Sequence, residues 1–182
     1  WRLEMNFNIQ KYYNNYSQAT TLAFFRLAFG LMMVFSIIRF ASFGWIDKLY
    51  IQPQFHFSYY GFEWVKPIGN YTYIIFLIAG ISAFLLAIGY KYRFASILFF
   101  LSFTYIELID KTTYLNHYYF VSMICFLLIF LPAHVYFSID AIRKSNLRVV
   151  MIPAWCLDSV KLFVALLYIF AGIAKINSDW LL

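Results

Sequence analysis

Residues 71–89, YTYIIFLIAGISAFLLAIG, run without a single charged side chain and stop at a glycine. About 20 apolar residues, rising 1.5 Å each, carry a helix across the hydrocarbon core of a bilayer. The stretch reads as a transmembrane helix, and its flanks repeat the pattern. Upstream, residues 42–70 mix Asp47, Lys48, Glu63 and Lys66 with Pro53, Pro67 and aromatic residues, which predicts an irregular or re-entrant loop lying at the membrane interface. Before that loop comes an apolar run over 19–41, interrupted by Arg26 and Arg39. After Gly89 the basic turn Tyr90-Lys91-Tyr92-Arg93 leads into a third run at 92–109, a fourth at 118–133 and a fifth at 159–176. The expected fold is an all-α, polytopic transmembrane helix bundle of about five spans plus the interfacial loop, one domain over residues 1–182.

Composition agrees. Of 182 residues, 64% are hydrophobic and 12% charged, with a mean hydropathy of +0.72, more apolar surface than a soluble core of this size buries. The net charge of +6 and pI of 9.3 do not indicate nucleic acid, because the basic residues are scattered and flank apolar runs. Sixteen tyrosines and twenty-two phenylalanines read as interfacial belts and lipid-facing packing. Cys125 and Cys156 lie in different runs with no CxxC spacing, so neither a disulfide framework nor a function is assigned to them. The chain starts at Trp1 with Met5 as a candidate native start, and stops just after an apolar run, so it reads as the N-terminal part of a longer protein. Its richness in Phe, Tyr, Ile, Asn and Lys suggests a bacterial source and thus a bacterial inner membrane.

If the spans alternate, the 42–70 loop, the end of the third span and the end of the fifth share one face. Loop positives on the N-terminal side are Arg2, Lys11, Lys91, Arg93, Arg143, Lys144 and Arg148, against Lys48, Lys66, Lys111 and Lys175 opposite. The positive-inside rule puts the N-terminus in the cytoplasm and the shared polar face outside.

That face carries two polar motifs. The first is YIELIDKTTYLNHYYF, residues 105–120, which sets Glu107, Asp110, Lys111, Asn116 and His117 between apolar runs. Polar groups at the end of a span are costly unless they pair or work, and a polar loop with a snorkelling Lys111 competes with a site as the reading. Arg39 and Glu107 lie at the same depth, which predicts an ion pair. Arg26, at the other end, is expected to meet carbonyls, an acid such as Asp158, or lipid phosphate, or to snorkel. The second motif is YIFAGIAKINSDW, residues 168–180. There Lys175 projects from a face bare of bulk, with Asp179 one turn on and Trp180 at the interface. A partly desolvated lysine holds its proton less tightly and serves as a base, while a snorkelling lysine at a span end does nothing chemical. His56, His117 and His134 do not form a haem or metal set, since the last two stand 17 residues apart, about 25 Å as a helix. No metal site is predicted, and no phosphate loop or nucleophile elbow is present.

With FFRLAFGLMMV, GYKYRFAS, LIDKTTYLNH, YFSIDAIRK and AGIAKINSDW in this order and spacing, the chain resembles the membrane domain of the vitamin K-dependent γ-glutamyl carboxylase family, also called the horizontally transferred transmembrane domain (HTTM) family. The resemblance covers nearly the whole chain. It implies that Lys175 is the base toward vitamin K hydroquinone or menaquinol, with Asn116 and His117 beside the quinone and the carbanion. Asp110, Lys111, Tyr114 and Trp180 are then substrate- or quinone-binding residues. The implied reaction is quinol oxygenation by O2 to an epoxide, coupled in the carboxylases to capture of CO2 by a peptidyl glutamate. The implied partners are the lipid bilayer, the quinone, and a peptide or protein on the non-cytoplasmic side. Two departures bear on this: Ala174 stands where animal members have a second lysine, and the residues at hand contain no large soluble domain to dock a peptide. The alternative is a non-catalytic membrane subunit that binds a partner protein or lipid.

Overall fold

The computed structural model of the protein describes residues 14–176. Among the described residues the chain is an all-α bundle, with one short strand pair at one end. Strand β1, Tyr16–Gln18, leads into helix α1, Ala19–Ser42. A long irregular segment follows, containing one wide turn at Asp47–Ile51. Then come α2, Thr72–Ile88, α3, Tyr92–Leu108, and α4, Asn116–Phe130. The short helix α5, Ile139–Arg143, strand β2, Met151–Pro153, and the last long helix α6, Trp155–Ala174, complete the order.

The all-α membrane bundle read from the sequence is the observed fold. Helices occupy all five apolar runs, each within four residues of the expected ends, and the 42–70 segment is irregular. Three of them, α1, α2 with the turn before it, and α6, are long and apolar enough to cross a membrane. The other two are shorter. Helix α3 has 17 residues and α4 has 15, about 25 and 22 Å of helix against a hydrocarbon core of about 30 Å. Helix α4 stops at Phe130 because Pro132 follows, and a residue so close before proline leaves the helical region.

Small residues set the packing of α1 on α2. A side chain at Gly30 would start 2.7 Å from the Cα of Ala87, so the two backbones approach as only glycine allows. Ala79 and Ala83 continue that buried seam, and Phe29 meets Phe99 of α3 edge-on at 6.5 Å. Helix α2 ends at Gly89, whose left-handed backbone (φ 65°) lets Tyr90 N–H reach back to the Leu85 carbonyl at 3.0 Å.

The two ends of the bundle are built differently. At the end where α1 begins, β1 pairs antiparallel with β2, and Ala154 N–H donates to the Asn15 carbonyl at 2.9 Å. There Asp140 caps α3, accepting from the backbone N–H groups of Lys91 at 3.0 Å and Tyr92 at 2.9 Å. Arg26 is wholly buried there and donates to the Phe137 carbonyl at 2.7 Å, so among the expected partners a carbonyl is the one found. Its Nε and Nη1 and the Nδ1 of His134 are also buried and have no hydrogen-bond partner among the described residues. His134 stacks on Tyr92 with centroids 5.0 Å apart.

At the opposite end the 42–70 segment and the 105–117 motif lock together. Lys111 N–H donates to the Phe57 carbonyl at 2.9 Å, and Tyr105 Oη donates to the Lys66 carbonyl at 2.9 Å. Helix α6 starts at the first end and leaves most of its surface exposed, with only Cys156 and Val160 buried.

Candidate functional site

Between the far ends of α1, α3 and α4 lies a cavity of about 310 Å3. Helix α1 presents Met33, Ser36 and Arg39 to it, α3 presents Phe103 and Glu107, and the irregular segment adds Tyr50. The loop into α4 and its first turns add Thr113, Tyr114, His117 and Tyr118. Apolar walls with a few convergent polar groups at the low end of the small-molecule size range are what a ligand site requires.

The sequence explains the placement of His117. Leu115 is extended (φ −131°, ψ 133°), so α4 starts at Asn116 and His117 follows in its first turn. Its ring stands edge-on to Tyr118, 4.6 Å between centroids. Tyr50 packs against Phe76 with ring centroids 5.7 Å apart and planes tilted by 53°, and burial pushes its phenol up to about 12, against the pull of a hydrogen bond with Thr113. Its hydroxyl stays a neutral donor at neutral pH.

Glu107 stands at a junction. A second cavity of about 480 Å3 lies between α3 and α4 on the other side, lined by Phe100, Thr104, Met123 and Phe126. Glu107 and Tyr114 line both. The Glu107 carboxylate accepts from the Ser122 hydroxyl of α4, and Thr104 Oγ1 donates to that same hydroxyl at 3.3 Å.

The structure corrects several expectations. Arg39 and Glu107 share the cavity but form no ion pair within 4 Å. Ser122, on the neighbouring helix, occupies the carboxylate, while the Arg39 guanidinium lies 6.0 Å from the centre of the Trp45 ring. Asp110 is buried and lines neither cavity. It clips the loop, accepting from Thr112 N–H at 2.8 Å, Thr112 Oγ1 at 2.9 Å and Phe57 N–H at 3.4 Å. Lys111 is exposed and lines neither cavity; its ammonium lies 5.4 Å from the centre of the ring of Tyr59, which lines the second one. Asn116 is exposed at the start of α4 and does not line the cavity that His117 enters.

Lys175 follows the last turn of α6 as an exposed residue and is not among the residues lining the cavity that His117 enters. The reason is the weak packing of α6, which is buried only near its start. Trp180 and Asp179 lie outside the described residues. The cavity therefore unites His117 and Tyr114 of the expected site with Arg39 and Glu107. Tyr50, Thr113 and Tyr118 are not read from the sequence as site residues; Thr113 and Tyr118 lie within the 105–120 motif, and the aromatic density before Pro53 is the signal for Tyr50.

These features define an integral membrane helix bundle with a histidine-bearing, amphipathic cavity at one end. The HTTM domain matches residues 14–182, and the chain belongs to the HTTM family, membrane domains related to the vitamin K-dependent carboxylases. No solved structure matches the chain.

Proposed function

We propose that the protein binds a lipid-soluble quinol, vitamin K hydroquinone or menaquinol, in the cavity around His117 and oxygenates it to the epoxide. The observation that carries this reading is His117 itself: an imidazole on the wall of an amphipathic cavity within a membrane domain, beside Tyr50, Tyr118, Arg39 and Glu107. A fused-ring quinol needs apolar walls for its ring and polar groups at its oxygens, and a cavity of about 310 Å3 supplies both. His117 offers one donor and one acceptor nitrogen to hold a ring oxygen or take its proton, and Arg39 offers donors only. The overall change adds one oxygen atom of O2 to the quinol and releases the other as water, with two hydrogens lost from the ring hydroxyls. Coupling to glutamate carboxylation with CO2, a lyase-type activity, belongs to the same reading where a peptide partner is supplied on the non-cytoplasmic face. The protein is proposed to sit in a bacterial inner membrane with its N-terminus cytoplasmic, on the balance of loop positives.

The exposed position of Lys175 favours a second reading. A base that does not reach the cavity cannot start the oxygenation, and the domain would then serve as a non-catalytic subunit holding a lipid or partner protein. Incubation of the purified chain with menaquinol and O2 separates the two. Epoxide formed by wild type, and lost in Lys175→Ala and in His117→Ala, supports the enzyme. Quinol bound without epoxide, in folded protein, leaves the subunit.

A further inference from the structure

We infer that Glu107 makes the cavity selective for a ligand that donates a hydrogen bond, so that a fused-ring aromatic alcohol or quinol is bound in preference to the matching quinone or ether. The inference rests on the quinol reading of the cavity and adds to it which redox form is held.

The argument starts from the hydrogen-bond inventory of the wall. Oε2 of Glu107 accepts from Ser122, and Thr104 approaches the same serine hydroxyl at 3.3 Å, so both hydroxyls near the acid are already engaged. Oε1 of Glu107 makes no hydrogen bond among the described residues and is not sealed from the cavity. No lysine or arginine nitrogen of the described residues lies within 4 Å of the carboxylate. The acid thus presents an acceptor with room for one more donor on a wall shared by two cavities.

Arg39 cannot make the same distinction. Its guanidinium is a donor only, and the oxygens of quinol and quinone both accept. Tyr50, Thr113, Tyr118 and His117 each offer both functions and satisfy either form. Only a carboxylate oxygen rewards a hydroxyl hydrogen and sets its lone pairs against those of a carbonyl. In its ionised form Glu107 gains a charge-assisted hydrogen bond through Oε1 when that oxygen faces a donor, while facing a carbonyl it stays unsatisfied in an apolar enclosure. Neither the predicted ion pair nor the HTTM motifs assign Glu107 this contact.

The test uses two ligand pairs on the detergent-purified chain under anaerobic conditions at pH 8.5, so that Glu107 is ionised, followed by quenching of intrinsic fluorescence: menadiol against menadione, and 2-naphthol against 2-methoxynaphthalene. Wild type is expected to favour the hydroxyl-bearing member of each pair about tenfold, the size of one hydrogen bond to a charged group. In Glu107→Gln the side-chain carbonyl keeps the Ser122 contact and the amide N–H faces the cavity, so the preference is lost or inverted toward menadione. A merely structural role would weaken all four ligands alike. Glu107→Leu, of similar bulk, gives a second measurement and is expected to bind both members of each pair equally. Unchanged selectivity in the variants overturns the inference, as does a wild-type preference for menadione. If neither menadiol nor menadione binds but 2-naphthol is favoured and Glu107→Gln abolishes that, the quinol reading fails while the donor-selective site stands.

Discussion

Nη1 of Arg26 lies 1.7 Å from where the Cβ of any residue but glycine at position 89 would stand, and Ser138 Cβ lies 2.5 Å from the same point. The wholly buried guanidinium of α1 is seated against the bare backbone that ends α2. Gly89 meets two demands at once, a left-handed φ of 65° and the absence of a side chain. Gly89→Ala is therefore expected to expel the Arg26 side chain and to cost about 2–4 kcal/mol of stability, read as a lower unfolding midpoint in detergent. Combining it with Arg26→Ala isolates the clash. The double variant should lose clearly less than the sum of the single losses, because the second substitution removes the group the first collides with. Strict additivity would mean that the strain resides in the backbone of Gly89 alone.

Asp110 accepts two hydrogen bonds from Thr112 within the loop before α4 and one, from Phe57 N–H, that stitches this loop to the segment after α1. Asp110→Ala removes the acceptor of the part-buried Thr112 and Phe57 N–H groups, at about 1 kcal/mol. Because the Phe57 bond helps tie the 53–61 stretch down, the expected sign is faster hydrogen exchange and protease cleavage at Phe55–Tyr59, with α1 and α2 protected as before. Asp110→Asn keeps an acceptor oxygen and should recover most of the protection. If the variant instead weakened ligand binding without loosening that stretch, Asp110 would belong to the binding wall.

Ser122 is the sole hydrogen-bond partner of the Glu107 carboxylate among the described residues. Ser122→Ala frees that oxygen and is expected to cost about 1–2 kcal/mol, measured by thermal unfolding of the apo protein. Ligand addition should offset part of the loss, since a donor in the cavity takes the serine's place. A Glu107→Leu/Ser122→Ala double variant, which removes both partners, should be more stable than Ser122→Ala alone.

Depth was legible in the sequence and azimuth was not. The charge-free stretch 71–89 fixed α2 to within one residue at each end, since span length and a terminal glycine are local properties. The rise of 1.5 Å per residue put Arg39 level with Glu107, and both do line one cavity. Whether they touch depends on how each helix is rotated in the bundle, and Ser122 of α4 lay nearer to the acid than the arginine did. The same gap hid the seat of Arg26, because nothing around residue 26 points to Gly89. Lys175 shows the converse: its motif reads clearly, yet its position depends on how a lightly packed α6 is held. Chain alternation did bring the 42–70 segment to the 105–117 motif, a property of topology that needs no rotation angle.

His134 offers a pH-dependent handle at the opposite end. It lies beyond the end of α4, stacked on Tyr92, and burial lowers its pKa below 6.5, with Arg93 adding to the shift and Asp140 opposing it. A histidine that resists protonation in the folded state binds fewer protons there than in the unfolded chain. Between its folded pKa and 6.5 the unfolded form takes up the proton first, so stability is full above 6.5 and declines as pH falls through that window. The partial exposure of the ring keeps the effect modest. The expected result is an unfolding midpoint that drops from pH 7.5 toward pH 5 in wild type and drops less in His134→Phe, which keeps the stacking on Tyr92 and cannot titrate. Equal slopes in the two proteins would assign the acid sensitivity to other groups, the carboxylate of Asp140 that caps α3 first among them.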